Sequence, residues 1–175
     1  MSSVSKGPIE NPGLIPEANT AARLIALLLP TALLLGALGS QYLGGLYPCE
    51  MCYWQRWAHG AAIVVAALAF TAPASLQRSR TLTLLAAVAI ALSGAIGAYH
   101  AGVEAGIFEG FTTCTAMASG ASTEELLRQI THAPIIRCDQ IQFAFLGGSM
   151  AGWNAILSLG GALTIGWLLM QGARR

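Results

Sequence analysis

The residues with the clearest chemistry in this chain are two cysteines, Cys49 and Cys52, in the segment PCEMCYWQR at positions 48–56. Two thiols separated by two residues can close into a small disulfide ring, so the pair can accept and return two electrons with little backbone movement. The same spacing also supplies half of a zinc site, and a histidine directly after the second cysteine would indicate haem attachment. Tyr53 occupies that position, which leaves a redox dithiol or a pair of metal ligands.

The neighbouring residues favour the redox interpretation. We predict that Cys52 lies in the first turn of a helix that continues through the apolar residues 61–64, where exposed backbone N–H groups favour a thiolate. Arg56 follows at i+4, which places it on the same face of that helix. The segment therefore predicts a thiolate beside a guanidinium, at the point where one apolar run ends and the next begins.

The composition of the chain is that of a membrane protein. Of the 175 residues, 55% are hydrophobic and only 10% are charged, whereas a soluble domain of this size would need more polar surface. A helix needs roughly 20 apolar residues to cross the hydrocarbon layer. Four stretches meet that length, at about Arg23–Leu43, Trp57–Ala74, Thr81–Tyr99 and Ala144–Met170. The net charge of +1 and the lack of a basic patch give no indication of nucleic-acid binding.

These stretches predict an all-α membrane protein, a four-transmembrane-helix bundle that forms a single domain over residues 21–175. Residues 1–20 are rich in proline and poor in apolar side chains, so we predict a mobile cytoplasmic tail. The one long polar segment is a loop at about residues 101–143. Within it, the sequence STEE at 122–125 fits a capping box, which predicts a short amphipathic helix resting on the lipid surface.

The distribution of basic residues predicts the orientation in the membrane. Six of the nine Lys and Arg residues lie in the N-terminal tail, in the turn between the second and third stretches, and at the C-terminus. Because basic residues near span ends stay preferentially in the cytoplasm, both termini are predicted to be cytoplasmic. The four cysteines then share the opposite side, which in a bacterium is the oxidising periplasm. They are Cys49, Cys52, Cys114 and Cys138.

Three polar residues near the predicted spans each have more than one interpretation. His100 has Glu104 at i+4, so the two can share a hydrogen bond or an ion pair, and a neutral imidazole there could bind a ligand oxygen, relay a proton or simply be solvated. His59 could face the dithiol or contact a neighbouring helix. Asn154 lies at lipid depth, and we predict that it faces the bundle and makes a packing hydrogen bond.

Three segments occur in a fixed order around the four apolar stretches: PCEMCYWQR at 48–56, YHAGVE at 99–104, and RCD at 137–139 leading into FLGGSMAGWN at 145–154. Together they resemble the bacterial disulfide bond formation protein B family, DsbB. The resemblance extends from about Leu24 to Met170. Position 51 is Met where the family often has Leu, which is a small departure.

The resemblance implies a multi-pass enzyme of the bacterial inner membrane that reoxidises a periplasmic thiol oxidase, DsbA, and delivers the electrons to membrane quinone, either ubiquinone or menaquinone. It implies that Cys114–Cys138 is the disulfide attacked by the partner's thiolate, and that Cys49–Cys52 is the pair that reoxidises it. In the family pattern Cys49 attacks the second pair at Cys138. Cys52, left as a thiolate, then contacts the quinone ring.

The resemblance also implies three quinone-binding residues and no metal ligands. Arg56 matches the quinone-site arginine of the family, and His100 matches its quinone-proximal histidine. Met150, placed by its distance after Cys138, is expected to line the same pocket.

Two alternatives remain open. A vitamin K epoxide reductase-like protein also couples quinone to a four-cysteine relay, but its redox C-x-x-C lies near the final core helix, whereas here the motif opens the second span. A non-catalytic membrane protein could instead use the four cysteines as structural disulfides or as a zinc site, although the chain lacks a second C-x-x-C.

Overall fold

The computed structural model describes residues 14–110, 122–124 and 137–172. These residues contain four helices and one small hairpin: α1 (Leu14–Tyr42), α2 (Glu50–Ala69), α3 (Gln77–Glu104), β1 (Ala144–Phe145), β2 (Gly148–Ser149) and α4 (Met150–Gln171). The prediction of an all-helical protein is confirmed for this part of the chain. Cys114 and most of the amphipathic helix predicted from Ser122 lie outside the described residues.

Small side chains form the centre of the bundle. The α3 helix packs against both α2 and α4, and α1 packs against the same two helices. The buried cluster consists of Ala22, Ala26, Ala62, Ala66, Ala86, Ala87, Ile90, Ile165 and Leu169. Large apolar side chains instead point outwards, with Leu28 60% and Leu163 76% exposed. This distribution is inverted relative to a water-soluble bundle and is expected where lipid replaces water around the helices.

Three of the four helices are long and apolar enough to cross a membrane. They are the part of α1 from Glu17 to Tyr42, the whole of α3 and the whole of α4. The α2 helix, which corresponds to the predicted span Trp57–Ala74, is not among them. Its first turns carry polar residues, including Glu50, Gln55 and Arg56, and these lower its apolar character.

The N-terminal boundary differs from the prediction. The α1 helix begins at Leu14, so the last seven residues of the predicted 20-residue tail are helical. Pro16 lies in the first turn, where a proline is tolerated because its missing N–H has no helical partner there. Glu17 in the same turn further favours a helix start at this point.

The fourth apolar stretch also begins differently from the prediction. Residues 144–149 form a hairpin in which Ala144 pairs with Ser149 and Phe145 pairs with Gly148, and α4 begins only at Met150. Leu146 and Gly147 both have positive φ, 49° and 79°, as a two-residue hairpin turn of type I′ requires. Ser149 caps the helix, because its Oγ accepts the N–H of Gly152 at 3.1 Å.

Helices α3 and α4 approach each other closely at glycines of α3. The sequence predicts close contact at Gly148 and Gly152, which are four residues apart. Gly148 lies in β2, however, and a Cβ at Gly152 would meet only the capping Ser149 Oγ, at 3.5 Å. A Cβ on Gly97 would lie 3.0 Å from the carbonyl oxygen of Ala151 and 3.2 Å from the backbone N of Ala155. The α3–α4 contact therefore depends on Gly97.

We predict that Gly97→Ala lowers the free energy of unfolding by about 1–3 kcal/mol, because the backbone of α4 must move to admit the methyl group. Gly166→Ala is the matched control, since a Cβ there meets no atom within 4 Å. Denaturation of both variants in detergent, followed by circular dichroism, measures the difference. Equal unfolding curves would show that α4 accommodates the methyl group without strain.

The two ends of the bundle differ in chemistry. At one end, Arg23 donates to the carbonyl oxygen of Ala72 in the α2–α3 turn at 3.3 Å, and its guanidinium lies 4.2 Å from the ring centroid of Phe70. Arg80 donates to the carbonyl oxygen of Leu169 near the end of α4 at 3.0 Å. The dithiol lies at the opposite end, where α2 begins. Arg23 and Arg80 are thus separated from the cysteines by the length of the bundle.

Candidate functional site

A cavity of about 750 Å³ opens beside the dithiol. Its wall is formed by α1, the α1–α2 loop, the first three turns of α2, the end of α3, the hairpin segment and the start of α4. The lining side chains with reactive or polar groups include Cys49, Cys52, Gln55, Arg56, His59, His100, Glu104, Arg137 and Asn154. The structure therefore gathers residues from all four helices around one space next to the thiols.

The dithiol lies at the N-terminus of α2, as the sequence predicts. Cys49 is the N-cap residue, and its Sγ accepts the backbone N–H of Cys52 at 3.4 Å. The two Sγ atoms are 2.9 Å apart, so a disulfide between them requires little movement. Cys49 is buried and Cys52 is half-buried, and Cys52 lines the cavity. Cys49 lines the cavity as well, so Cys52 differs from it in being the more exposed cysteine of the pair.

Cys138 contacts Cys49 on its buried side. Both residues belong to a small apolar cluster with Met51 and Val103, and Cys138 is only 4% exposed. Hydrogen bonding to Cys138 and then to Cys52, together with burial, raises the pKa of the Cys49 thiol. The arrangement brings a cysteine of the second pair to Cys49, the more buried cysteine of the first pair.

The two thiols of the first pair differ in acidity. The hydrogen bond from Cys49 lowers the pKa of Cys52, and the Arg56 guanidinium acts in the same direction against the effect of burial. Both cysteines lie before Trp57, where the predicted second span begins, and therefore outside that membrane-spanning segment. The reduced pair therefore favours a thiolate at Cys52 over one at Cys49.

This difference predicts the order in which the reduced pair reacts with iodoacetamide. A lowered pKa keeps Cys52 ionised as pH falls, whereas a raised pKa keeps Cys49 protonated as pH rises. In a pH series on the reduced full chain, Cys52 should be alkylated from lower pH than Cys49, as measured by peptide mass spectrometry. Modification of Cys49 first would contradict the assignment.

Arg56 is held between α2 and α1. Its guanidinium donates to the Gln41 side-chain oxygen and, at 2.9 Å, to the carbonyl oxygen of Ala37. The guanidinium carbon also lies 5.7 Å from the ring centroid of Tyr53, within the range of a cation–π contact. These contacts fix the positive charge at the cavity wall beside Cys52, as its i+4 position predicts.

His100 contacts the dithiol directly. Its Nε2 lies 3.6 Å from Cys49 Sγ and 3.8 Å from a Glu104 carboxylate oxygen. The α3 helix extends to Glu104, so the expected i+4 contact is present, and no hydrogen-bond partner among the described residues reaches the other carboxylate oxygen. His100 Nδ1 lies 3.0 Å from Gln55 Nε2. The interpretation of His100 as a solvated interfacial histidine is therefore wrong, since the residue is 3% exposed.

Asn154 makes a network of hydrogen bonds between three helices. Its Nδ2 donates to Gln55 Oε1 at 2.8 Å and to the carbonyl oxygen of Ser93 at 3.1 Å. Its Oδ1 lies 2.9 Å from both His59 Nε2 and Ser158 Oγ. The predicted packing hydrogen bond of Asn154 is confirmed. His59, which is buried, both contacts its helix neighbours and lines the cavity.

Met150 lies at the mouth of the cavity as the first residue of α4. It is 39% exposed. The hairpin beside it contributes Phe145, whose carbonyl oxygen accepts the Trp153 indole N–H at 2.8 Å. Of the residues predicted from the sequence for the site, the structure thus brings six together. They are Cys49, Cys52, Arg56, His100, Met150 and Cys138.

Sequence reasoning missed the amide and hydroxyl groups that hold the site together. Gln55, 93% buried, bridges His100 and Asn154. Ser93 is fully buried and its Oγ donates to the backbone carbonyl of Gln55 at 3.1 Å. The available signal for Gln55 was its position directly before Arg56 and three residues after Cys52.

The dithiol and His100 also form the one group of three potential metal ligands found among the described residues. Their ligand atoms all lie within 4.8 Å of one another. Two sulfurs bound to one tetrahedral zinc at about 2.3 Å would be roughly 3.8 Å apart, and the observed separation is 2.9 Å. The observed sulfur–sulfur distance is therefore shorter than that expected for two ligands of one zinc ion, which favours the disulfide-exchange interpretation.

The fold and the site together define a helical membrane protein with a cysteine pair at one end of its bundle. Comparison with protein families agrees, since residues 19–168 match the family of the disulfide bond formation protein DsbB. The chain belongs to this family, and it is therefore a membrane protein of disulfide bond formation. No curated protein and no solved structure matches the chain.

Proposed function

We propose that this chain is a thiol:quinone oxidoreductase of the bacterial inner membrane that reoxidises a DsbA-type periplasmic dithiol oxidase. One observation carries the proposal: both cysteines of the first pair line a cavity, Cys52 lies beside Arg56 at its wall, and Cys49 also contacts Cys138. The first cysteine pair thus borders a ligand space and at the same time touches a cysteine of the second pair. This is the arrangement that a two-step electron relay needs.

The cavity fits a quinone in size and chemistry. Its volume of about 750 Å³ lies within the usual range for small-molecule sites. Arg56 and Met150 would hold the ring, with the guanidinium towards a ring oxygen. A bound quinone supplies an acceptor for two electrons and two protons. Gly36 and Gly39 leave the α1 wall open, because a Cβ at either position meets no atom within 4 Å.

The exchange between the two pairs can be written with all electrons assigned. A partner thiolate attacks Cys114, a partner–Cys114 bond forms, and Cys138 leaves as a thiolate. This thiolate attacks Cys49 of the Cys49–Cys52 disulfide, the Cys49–Cys138 bond forms, and Cys52 leaves with the electron pair as a thiolate. This reverses the direction implied by the resemblance, because Cys52 becomes a thiolate only when Cys49 is the sulfur attacked. The low pKa of Cys52 favours this step, since a more acidic thiol leaves faster.

We propose that α2 is the fourth membrane span, with both termini in the cytoplasm and both cysteine pairs in the periplasm. The polar residues that lower its apolar character include Gln55 and His59, and both are buried against other helices. Its outward face carries Val64 and Leu68, which are 61% and 47% exposed. Ionisable residues within a span are expected to face the bundle or a cavity. We further propose that the unit is a single domain that starts with α1.

The experiment that tests the proposal uses the purified full chain in detergent with a reduced DsbA-type protein and short-chain quinones. Thiol loss and quinone reduction are followed together, and one quinone should be reduced for each pair of thiols oxidised. Separate assays with ubiquinone and menaquinone analogues identify the preferred acceptor. Cysteines that resist a mild reductant, with no quinone-dependent oxidation of the partner, would indicate structural disulfides instead.

A further inference from the structure

Two buried side-chain amides connect α4 to the dithiol through His100. Asn154 Nδ2 lies 2.8 Å from Gln55 Oε1, and Gln55 Nε2 lies 3.0 Å from His100 Nδ1. The residues involved come from α4, α2 and α3. The quinone-binding and disulfide-exchange steps described above make no use of either amide.

Backbone carbonyl groups fix the orientation of each amide. Gln55 Nε2 lies 3.1 Å from the carbonyl oxygen of Met51, and Asn154 Nδ2 lies 3.1 Å from that of Ser93. A carbonyl oxygen can only accept a hydrogen bond, so the group facing it must be the NH₂ of the amide. Each NH₂ has two hydrogens, and the second one points at the next member of the chain. The direction of donation is therefore from Asn154 to Gln55 to His100.

This direction determines which nitrogen of His100 carries the proton. Because Nδ1 accepts from Gln55, the hydrogen of a neutral imidazole must be on Nε2. That nitrogen lies 3.6 Å from Cys49 Sγ and 3.8 Å from Glu104 Oε1. The carboxylate of Glu104 favours a proton on the side it faces. A protonated Nε2 has no lone pair for a metal ion, which also argues against His100 as a metal ligand.

We propose that Asn154 and Gln55 are positioning residues that hold His100 with its proton on Nε2, so that this N–H donates a hydrogen bond to the Cys49 sulfur whenever it becomes a thiolate. The inference rests on the proposed function for the step that it serves. It assigns His100 to the sulfur that faces Cys138. The resemblance instead implies a role at the quinone.

The step concerned is the one that releases Cys49. The second thiol of the partner closes the partner's own disulfide and releases Cys114 as a thiolate. Cys114 then attacks Cys138 of the Cys49–Cys138 disulfide, so that the Cys114–Cys138 bond forms and the Cys49–Cys138 bond breaks. Cys49 leaves with the electron pair, and the His100 N–H stabilises its charge without transferring the proton. The other titratable groups near this sulfur are Cys52, Cys138 and, across His100, Glu104. Hydrogen bonds to charged groups are the stronger ones, and a better-stabilised leaving thiolate leaves faster.

The tautomer can be measured directly in the full chain. NMR of the protein with ¹⁵N-labelled histidine in detergent micelles should show His100, assigned with His100→Phe, protonated on Nε2. In Gln55→Glu the carboxylate accepts rather than donates, so the proton should be found on Nδ1. His59 is the internal control, because Asn154 Oδ1 still accepts from its Nε2. A wild-type His100 protonated on Nδ1, or averaged between both forms, would overturn the proposal.

Alkylation of Cys49 measures the consequence for the sulfur. In a Cys52→Ser/Cys114→Ser/Cys138→Ser background, His100→Phe should slow the reaction with iodoacetamide about tenfold at fixed pH. Gln55→Met removes the hydrogen bond that favours a proton on Nε2 but keeps the His100 imidazole, so it should slow the alkylation of Cys49 about threefold. Thr83→Val, a buried substitution near the other end of α3 whose hydroxyl donates to the carbonyl oxygen of Ser79 in its own helix, should leave the rate within about twofold.

Equal rates in all variants would show that His100 does not act on Cys49, and the proposal would be wrong. Neither measurement includes quinone or a partner protein. The predicted tautomer and alkylation rates can therefore be observed even if the chain shows no quinone-dependent turnover. They can also be absent in a chain that does show such turnover. The two proposals are thus separable.

Discussion

Replacing Cys52 with serine is expected to abolish quinone reduction by the full chain, with a loss of at least about a thousandfold in rate. Cys52 is the thiol that lines the cavity beside Arg56, and serine cannot form the Cys49–Cys52 disulfide or a thiolate. The second cysteine pair is unchanged in this variant. It should therefore still form a mixed disulfide with a DsbA-type partner, detectable as a covalent adduct on a non-reducing gel.

Cys138→Ser provides the matched control for this prediction. It removes a buried cysteine at the same end of the bundle but leaves the first pair intact. With dithiothreitol as the electron donor, Cys138→Ser should still reduce quinone, because the reductant reaches the first pair directly. With the protein partner as donor it should not. Quinone turnover by Cys52→Ser at the wild-type rate would disprove the proposed electron path.

Relations within a single helix could be predicted from the sequence. Cys52 and Arg56 share a face of α2, and His100 and Glu104 approach to 3.8 Å in α3, because residues four apart on a helix are neighbours. The position of the dithiol at the start of a helix could also be predicted, because the cysteine pair directly precedes an apolar run. In the structure the first thiol is the N-cap, where it accepts a backbone N–H.

Contacts between helices could not be predicted in the same way. Asn154 and Gln55 are 99 residues apart in sequence, and their meeting depends on the rotation of α4 and α2 about their own axes. An apolar run with outward-facing Leu and Val side chains fixes that rotation weakly, since lipid accepts any of its faces. Small residues such as Gly97 set it instead, through close approach of the backbones.

The start of the last helix shows a second limit of the sequence. Residues 144–149 are as apolar as the span that follows, so composition alone extends the helix through them. The hairpin depends on the positive φ of Leu146 and Gly147, and Ser149 then provides the N-cap of α4. The sequence features that indicate the correct boundary are the two consecutive glycines, Gly147 and Gly148, followed by a serine that can cap the helix.

Replacing Arg56 with methionine is expected to raise the apparent KM for quinone and to lower kcat/KM about 10- to 100-fold. The guanidinium is fixed by Gln41 and the carbonyl oxygen of Ala37, so its charge is already oriented towards the cavity when a ring oxygen gains negative charge. Arg56→Lys should recover only part of the loss, because a single ammonium cannot make both α1 contacts and still face the cavity.

The specificity of this effect is measured with Arg78→Met, which removes an exposed arginine at the opposite end of the bundle. That variant should keep the wild-type KM for quinone. Arg56→Met should also move the alkylation of Cys52 to higher pH, because its guanidinium is one of the groups that lower the pKa of that thiol. Steady-state kinetics over a range of quinone concentrations, together with the alkylation series, separate ring binding from thiolate stabilisation. An unchanged KM with a shifted alkylation profile would restrict Arg56 to the thiol, and unchanged values of both would remove it from the site.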